Sequence, residues 1–201
     1  MRPRRRTPAE PDRVTAAFAA VPRVRFLPEA QRGHAHDDRP LPLGHGQTSS
    51  QPSTVAAMLR LLEVPVGGRV LDVGAGSGWT TALLAHLVGP TGAVLGLELD
   101  PDLAQWGAAN VAAHGALNAR LERAREGLLG DPTGAPWERI LVSAEARELP
   151  RSLTDQLRAP GRMVLPVRGE MLLVVRPAQA AADAGVLTVT THGAYRFVPL
   201  R

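Results

Sequence analysis

The residues whose spacing most clearly suggests ligand chemistry are three glycines that follow a short apolar segment. Gly74, Gly76 and Gly78 alternate with small residues, and Asp72 precedes them by two positions. Glycine lets a backbone turn tightly and lets a ligand approach the main chain closely. The free amides at the start of a following helix attract negative or polar ligand groups. We therefore predict a cofactor-binding turn between a strand and a helix.

Three classes of cofactor loop use a glycine-rich turn of this kind, and spacing separates them. A phosphate-binding P-loop needs a lysine after its glycines, and this chain contains no lysine. The dinucleotide fingerprint places its third glycine where this chain has Trp79. The remaining pattern, G-x-G-x-G after an acid, is typical of S-adenosylmethionine-dependent methyltransferases. Glu98, at the end of the next predicted strand, is suited to accept hydrogen bonds from ribose hydroxyls. A glycine-rich turn without a ligand is the alternative.

A second distinctive segment lies just before the first regular helix of the central region. Residues 34–52 read H-A-H-D-D-R-P-L-P-L-G-H-G-Q-T-S-S-Q-P. This stretch resembles A-Y-x-D-x-P-L-P-I-G-x-G-Q-T-I-S-Q-P of the protein-L-isoaspartate (D-aspartate) O-methyltransferase family. Residues 22–29 resemble the R-x-x-F-V-P-E of that family, residues 125–130 its G-D-G-x-x-G and residues 135–140 its A-P-F-D-x-I. Similar motifs follow one another in order from about residue 16 to residue 170.

The resemblance implies carboxyl O-methylation of L-isoaspartyl residues, with D-aspartyl residues as a further substrate class, and repair through a succinimide. The implied cofactor is S-adenosyl-L-methionine, with S-adenosyl-L-homocysteine as the product, and the implied substrates are isoaspartyl-containing peptides or proteins. A carboxylate is already ionised at neutral pH, so the reaction needs alignment and no general base. The implied catalytic residue is Ser50, whose hydroxyl would orient the attacking carboxylate. Segment 43–50 would lie over the cofactor, and an open groove beside residues 36–50 would take an extended peptide.

The other implied site residues fall into two groups. The cofactor-binding group comprises Gln47, Thr48, Ser49, Gly74, Ala75, Gly76, Ser77, Gly78, Glu98, Leu99, Glu126 and Gly127. The substrate-binding group comprises His36, Leu43 and Ser50. No metal is expected, because the residues of the sequence H-A-H-D-D are more typical of a polar loop than of a ligand set.

Four positions depart from the family pattern and leave alternatives open. His36 replaces a tyrosine, Ser49 an isoleucine and Glu126 an aspartate, and Glu145 interrupts an alanine-rich stretch. One alternative is a dedicated peptide-tailoring isoaspartyl methyltransferase. Others are an RNA or small-molecule methyltransferase on the same fold, or a cofactor-binding protein without catalysis. Ser50 also has a structural alternative, the N-cap of the helix that follows.

Composition restricts the class of protein further. The 201 residues are 44% hydrophobic and 21% charged, as in soluble globular domains, and the lack of cysteine excludes thiolate chemistry. Residues 1–40 carry nine arginines and five acids, so the net charge of +4 lies in this segment and the remainder is neutral. A neutral body is not the footprint of a nucleic-acid-binding protein. We expect a cytoplasmic monomer that binds neither nucleic acid nor membrane.

The periodicity of apolar residues predicts the elements that position these groups. Helices are predicted at 10–20, 52–62, 79–88, 101–114 and 151–157, with an irregular segment at 21–50. Strands are predicted at 69–73, 93–98, 119–123, 139–142, 162–167, 171–176 and 186–191. The alternation predicts an α/β fold: a doubly wound, mostly parallel seven-stranded sheet of the Rossmann-like methyltransferase type, with an antiparallel edge. Residues 1–50 form an N-terminal helix and covering loop, and residues 51–201 form the cofactor-binding core.

Overall fold

A computed structural model describes residues 12–178 and 186–201 of the chain. In chain order the strands are β1 (Leu41–Gly44), β2 (Gln47–Ser49), β3 (Arg69–Val73), β4 (Ala93–Glu98), β5 (Ala119–Arg123), β6 (Trp137–Val142), β7 (Leu157–Val167), β8 (Glu170–Arg176) and β9 (Thr188–Ala194). The α-helices are α1 (Arg13–Ala20), α2 (Pro52–Leu62), α3 (Trp79–Val88), α4 (Pro101–His114) and α5 (Arg151–Thr154). Short 3₁₀ helices cover Arg23–Phe26 and Glu29–His34.

The main sheet has seven strands in the order β5-β4-β3-β6-β7-β8-β9. The first five of these are parallel, and β8 and β9 are antiparallel to their neighbours. This confirms the predicted mostly parallel sheet with an antiparallel edge. The chain moves outward in opposite directions from β3, toward β4 on one side and β6 on the other. In such sheets the carboxyl ends of the strands at this switch point form the ligand-binding crevice.

Both faces of the sheet are covered, as the fold class requires. Val70 and Leu71 are neighbours in β3 but belong to two different buried hydrophobic clusters, because successive side chains of a strand point to opposite faces. The cluster around Val70 includes Val14 and Ala17 of α1, so the N-terminal helix packs directly on the core. Within the two described ranges, no helix is long and apolar enough to span a bilayer.

Several predicted boundaries differ from the structure for local reasons. The first helix begins at Arg13 because Asp12 caps it and accepts hydrogen bonds from the amides of Val14 and Thr15. Residues 10 and 11, which the prediction included in this helix, lie outside the described residues. The fifth helix stops at Thr154, and the sequence after it extends β7 in the N-terminal direction. The last strand covers Thr188–Ala194 instead of the predicted 186–191. All of its residues are exposed, so no alternation of buried and exposed side chains marks its ends.

The irregular segment predicted at 21–50 is wrong in detail. Besides the two 3₁₀ helices, it contains β1 and β2, which pair as a separate two-stranded antiparallel sheet. Its turn uses three consecutive residues with positive φ, namely Gly44, His45 and Gly46. The hairpin rests on a small buried cluster that joins Leu41 and Leu43 to Leu103 of α4. Tertiary packing therefore creates strands that the local sequence does not indicate.

Candidate active site

The glycine turn after β3 has the backbone that its sequence predicts. Gly74, Gly76 and Gly78 have φ angles of 74°, 55° and 85°, a region that side-chain-bearing residues rarely adopt. At Gly78 an added Cβ would lie 2.7 Å from a Val111 methyl and 2.9 Å from the Gly107 carbonyl oxygen. The third glycine therefore permits both the turn and the close approach of α4.

Glu98 connects the glycine turn to the start of α4. Its carboxylate accepts a hydrogen bond from the Gly76 amide at 2.9 Å and another from the Asp100 amide at 3.0 Å. The residue is 8% exposed. A carboxylate can accept about four hydrogen bonds, so acceptor capacity remains for ligand hydroxyls. The predicted ribose acceptor thus lies against the predicted cofactor turn.

Asp72 is fully buried beneath the same turn. One of its carboxylate oxygens accepts hydrogen bonds from the hydroxyls of Thr80 and Thr81, each at 2.7 Å. Its other oxygen, Oδ1, has no hydrogen-bond partner among the described residues. Burial raises the pKa of Asp72 to about 6, and the two threonine hydrogen bonds oppose that rise. An unpartnered buried acceptor next to a glycine turn suits a ligand that brings hydrogen-bond donors or positive charge.

The β1–β2 hairpin lies directly against the glycine turn. A Cβ placed on Gly76 would meet the Cδ1 atom of Leu43 at 3.6 Å, which is ordinary van der Waals contact. At the tip of the hairpin, His45 Nδ1 lies 3.2 Å from a carboxylate oxygen of Asp100. The other Asp100 oxygen accepts from the Leu103 amide and so caps α4. At these contacts the hairpin lies beside the predicted cofactor turn, and the covering of a bound cofactor by segment 43–50 stays a prediction.

An open groove of about 770 Å³ lies beside the hairpin, as predicted for residues 36–50. Its lining residues include Thr48 and Ser50 of the hairpin region and Tyr195, Arg196 and Phe197, which follow β9. The remaining lining residues are Pro40, Gln51, Ser53, Thr54, Ser143, Gly169, Ala194 and Val198. The groove wall is therefore rich in hydroxyl groups, and Arg196 is the charged side chain among the lining residues.

Alternation along β2 separates the three polar residues that the sequence groups together. Thr48 and Ser50 face the groove, whereas Ser49 is 5% exposed and its hydroxyl accepts a hydrogen bond from Arg23 Nε at 3.1 Å. Cofactor binding by Ser49 stays a prediction, and the structure gives its hydroxyl a different partner. The alternative role of Ser50 as a helix N-cap is wrong, because the N-cap of α2 is Gln51.

Two residues that position the hairpin were not recognised from the sequence. Asp38 accepts hydrogen bonds from the Ser53 amide at 2.8 Å and from the Gln51 side chain at 3.0 Å, so it caps α2 from outside the helix. These hydrogen bonds, the Gln51 one above all, lower the pKa of the Asp38 carboxyl. Arg23 contacts the hairpin from the other side. The family-like motif at residues 22–29 was the available signal for Arg23.

The remaining predicted site residues lie partly within the glycine turn and the hairpin and partly on neighbouring loops. The loop that carries Glu126 and Gly127 leaves β5 beside Glu98, because the Ala124 amide donates to the Glu98 carbonyl oxygen at 2.7 Å. The Glu126 side chain is 81% exposed and lies 3.5 Å from Arg123. The other predicted residues comprise Gln47, Ala75, Ser77 and Leu99, which are partly or fully buried near the turn and hairpin, and His36, which is exposed.

Glu145 and the histidine–aspartate groups complete the list of polar candidates. The backbone of Glu145 pairs with Val198 and Leu200, which places it beside the chain segment that lines the groove. Among the described residues, His45, Asp100 and Asp102 bring potential metal-ligand atoms within 4.8 Å of one another. The Asp100 carboxylate already joins the hairpin tip and caps α4, so this cluster has a structural role.

Comparison with known proteins assigns the family. The model of the Protein-L-isoaspartate(D-aspartate) O-methyltransferase (PCMT) family matches residues 3–201. The chain belongs to this family. It is 46% identical over 190 residues to the Protein-L-isoaspartate O-methyltransferase of Anaeromyxobacter dehalogenans, covering 94% of this chain and 88% of that one. With the enzyme of that name from Methanothrix thermoacetophila it is 40% identical over 200 residues, with 92% and 90% covered.

Solved structures agree with this assignment. A protein-L-isoaspartate O-methyltransferase superimposes with a TM-score of 0.84 at 26% identity, covering 95% of this chain and 62% of that one. A PCMT structure from Plasmodium falciparum, in complex with S-adenosyl-L-homocysteine, gives a TM-score of 0.78 at 25% identity, with 96% and 91% covered. This chain is therefore a Rossmann-like, S-adenosyl-L-methionine-dependent methyltransferase of the isoaspartate-repair family.

The residues of this methyltransferase fit that cofactor. S-adenosyl-L-methionine presents ribose hydroxyls as donors and carries positive charge on its sulfonium and amino groups. The structure offers the carboxylate of Glu98 at the turn and the unpartnered Oδ1 of Asp72 below it. Gly76 keeps the turn free of a side chain where the hairpin approaches. Acceptors, negative charge and open backbone thus occur together at the carboxyl edge of the sheet.

Proposed function

We propose that this enzyme methylates the free carboxylate of L-isoaspartyl residues, and of D-aspartyl residues as a second class, in damaged proteins and peptides. The observation that carries the proposal is the close approach of Leu43 to Gly76, where a Cβ built on the glycine would meet Leu43 Cδ1 at 3.6 Å. It places the hairpin that characterises the family against the cofactor turn, while Ser50, at the end of the same hairpin, lines an open groove. Cofactor and peptide carboxylate can therefore meet beside Ser50.

The chemistry requires alignment rather than proton transfer. When bound, S-adenosyl-L-methionine supplies a methyl group on a sulfonium sulfur; a new oxygen–methyl bond forms as the sulfur–methyl bond breaks and S-adenosyl-L-homocysteine leaves. The attacking carboxylate is ionised at neutral pH, so no base is needed. In the proposed mechanism, Ser50 donates a hydrogen bond to this carboxylate and fixes its orientation. Correct orientation of two reactants alone can lower a barrier by about 7–11 kcal/mol. The backbone amide nitrogen of the residue that follows then attacks the ester carbonyl, methanol leaves, and hydrolysis of the resulting succinimide returns some normal aspartate.

The shape of the groove supports a general repair role over a dedicated peptide-tailoring role. The groove is open and many of its lining residues carry hydroxyl groups, which can bind the backbone of an extended peptide of varied sequence. Arg196 adds a positive charge that suits the anionic substrate. We further propose that the enzyme acts as a cytoplasmic monomer. It acts in this proposal without a nucleic-acid partner, since the chain beyond residue 40 has no net charge.

Methyl transfer to a matched pair of peptides tests this function. An isoaspartyl peptide and its aspartyl twin are incubated with enzyme and radiolabelled cofactor, and only the isoaspartyl peptide should become labelled. Ser50→Ala should lower kcat/KM by roughly 10- to 100-fold, because a hydrogen bond to a charged group is worth about 1.5–3 kcal/mol. Ser152→Ala, on the exposed surface of α5, serves as the control and should retain wild-type activity.

Equal labelling of the two peptides would exclude isoaspartate specificity. Full activity of Ser50→Ala would exclude the orienting role of that hydroxyl. Retained cofactor affinity without transfer to any isoaspartyl peptide would instead favour a cofactor-binding protein that has lost catalysis. Binding to RNA that weakens steeply with added salt would favour the nucleic-acid alternative.

A further inference from the structure

Arg23 is a buried arginine that holds the end of the hairpin through its whole guanidinium group. Its Nε donates to the Ser49 hydroxyl at 3.1 Å. Its Nη2 donates to the carbonyl oxygens of Ser49 at 3.1 Å, Ser50 at 3.0 Å and Arg39 at 3.0 Å, and its Nη1 donates to that of Asp37 at 3.1 Å. One side chain from the first 3₁₀ helix thus joins the segment before β1 to the segment after β2.

The charge of Arg23 has no direct counter-ion within the described part of the chain. None of its guanidinium nitrogens lies within 4.0 Å of a carboxylate oxygen of the described residues. Its guanidinium carbon lies 5.4 Å from the centre of the Trp79 ring. Burial, the largest influence, lowers the pKa of Arg23 to about 10, while the nearby Asp37 and Asp38 act to raise it. The group therefore stays charged at neutral pH. Burying a charge without an ion-pair partner is expensive, so the fold carries this cost for the contacts that Arg23 makes.

We propose that Arg23 is the positioning residue for Ser50. The inference rests on the proposed function of Ser50. Nη2 donates to the carbonyl oxygens of both Ser49 and Ser50. These oxygens belong to the two peptide planes that flank the Ser50 Cα, so Arg23 fixes the backbone from which the Ser50 side chain projects. Arg23 faces the protein side of the hairpin, and Ser50 faces the groove. Arg23 acts on the substrate through Ser50 without touching it.

Lysine cannot reproduce this arrangement, although it keeps the charge. The planar guanidinium presents five donors in a fixed fork, whereas an ammonium group presents three donors around a single atom. An ammonium at the end of a flexible chain cannot reach the Ser49 hydroxyl and four carbonyl oxygens together. Arg23→Lys therefore separates the geometric contribution from the charge.

A double-mutant cycle tests the coupling. The variants are Arg23→Lys, Ser50→Ala and the double variant, with Arg25→Lys, an exposed position in the same 3₁₀ helix, as the control. We measure kcat and KM with an isoaspartyl peptide, and the affinity for S-adenosyl-L-homocysteine by calorimetry. Arg23→Lys should lower kcat/KM by at least 10-fold in the wild-type background and by less than threefold in the Ser50→Ala background. Its affinity for S-adenosyl-L-homocysteine should stay within threefold of wild type, and Arg25→Lys should change neither quantity.

Each other outcome overturns the proposal. Equal losses in both backgrounds would mean that Arg23 does not act through Ser50. A parallel loss of S-adenosyl-L-homocysteine affinity would mean that Arg23 only maintains the fold. If Arg23→Lys is poorly folded, Ser49→Ala replaces it in the cycle, because this change removes a single acceptor of Arg23. Ser49→Ala should lower kcat/KM about threefold when Ser50 is present. The same loss in the Ser50→Ala background would overturn the proposal. Full activity of Ser50→Ala would refute this inference together with the role of Ser50, whereas additivity alone leaves the proposed function intact.

Discussion

The two sides of the active site are held in place by different means. The cofactor side is the turn after β3, and it is fixed by the sheet: the amides of Gly74 and Ala75 both donate to the Leu97 carbonyl oxygen, and Gly76 is bonded to Glu98. The substrate side is a two-stranded hairpin with a small apolar cluster, and polar hydrogen bonds from one buried arginine tie its end to the protein.

This difference indicates which changes each side tolerates. A turn fixed by a parallel sheet and by close contact with α4 has little space, so added volume should disturb it strongly. A hairpin fixed by directional hydrogen bonds should tolerate changes of volume at its surface, but it should depend on charge and donor geometry. Three substitutions test this contrast, in addition to the variants of Ser50 and Arg23.

The largest effect is expected for Gly78→Ala on the cofactor side. Alanine must adopt a φ of 85° there, and its Cβ would lie 2.7 Å from a Val111 methyl. We expect the free energy of unfolding to fall by about 3–5 kcal/mol, measured by urea denaturation, because strain and overpacking add. Gly115→Ala is the matched control: its φ is 82°, but apart from its two chain neighbours no described residue has an atom within 4 Å of the new Cβ, so about 1–2 kcal/mol should be lost. Equal losses would show that the turn is not tightly packed.

The second test concerns the buried charge beneath the turn. The pKa of Asp72 is raised to about 6 by burial, so the unfolded state releases its proton at lower pH than the folded state does. The contribution of Asp72 to stability is therefore full below about pH 4 and is lost as the pH rises through 6, a change of about 3 kcal/mol. Asp72→Asn should abolish this change, so the stability of the variant relative to wild type should increase between pH 4 and pH 7.

Denaturation of both proteins across this pH range gives the measurement. Thr81→Val is the control, because removing a hydrogen bond that lowers the pKa of Asp72 should move the transition to higher pH. A constant difference between wild type and Asp72→Asn at all pH values would contradict the raised pKa.

The smallest effect is expected at the exposed wall of the groove. Arg196→Glu replaces the positive charge there and should reduce kcat/KM for a peptide with glutamate beside its isoaspartyl residue, relative to one with lysine. The ratio compares four exposed charge pairs, and at the low end of the range for such pairs, about 0.2–0.3 kcal/mol each, it should change roughly four- to eightfold. Arg151→Glu, on α5, should leave the ratio unchanged. An unchanged ratio for Arg196→Glu would mean that this side of the groove does not read charge.

The sequence predicted the cofactor side better than the substrate side. A glycine turn between a strand and a helix is a local pattern, and Glu98 follows from the end of the next strand. The hairpin was missed because two strands of three and four residues, one of them containing Pro42, have no periodicity of their own. Such a hairpin is marginal in isolation, so its strands exist because Leu43 packs on the core and Arg23 binds the hairpin end.

The sequence by itself determined the order of the α-helices and of the strands of the main sheet, the conformation of the glycine turn and the family to which the motifs belong. These depend on residue types at short spacing, where backbone sterics and apolar periodicity act. Only the tertiary structure decided that Leu43 approaches Gly76, that Ser49 faces Arg23 while Ser50 faces the groove, and that residues 194–198 line the same groove. Such contacts join residues far apart in the chain, and the packing of the whole sheet fixes them.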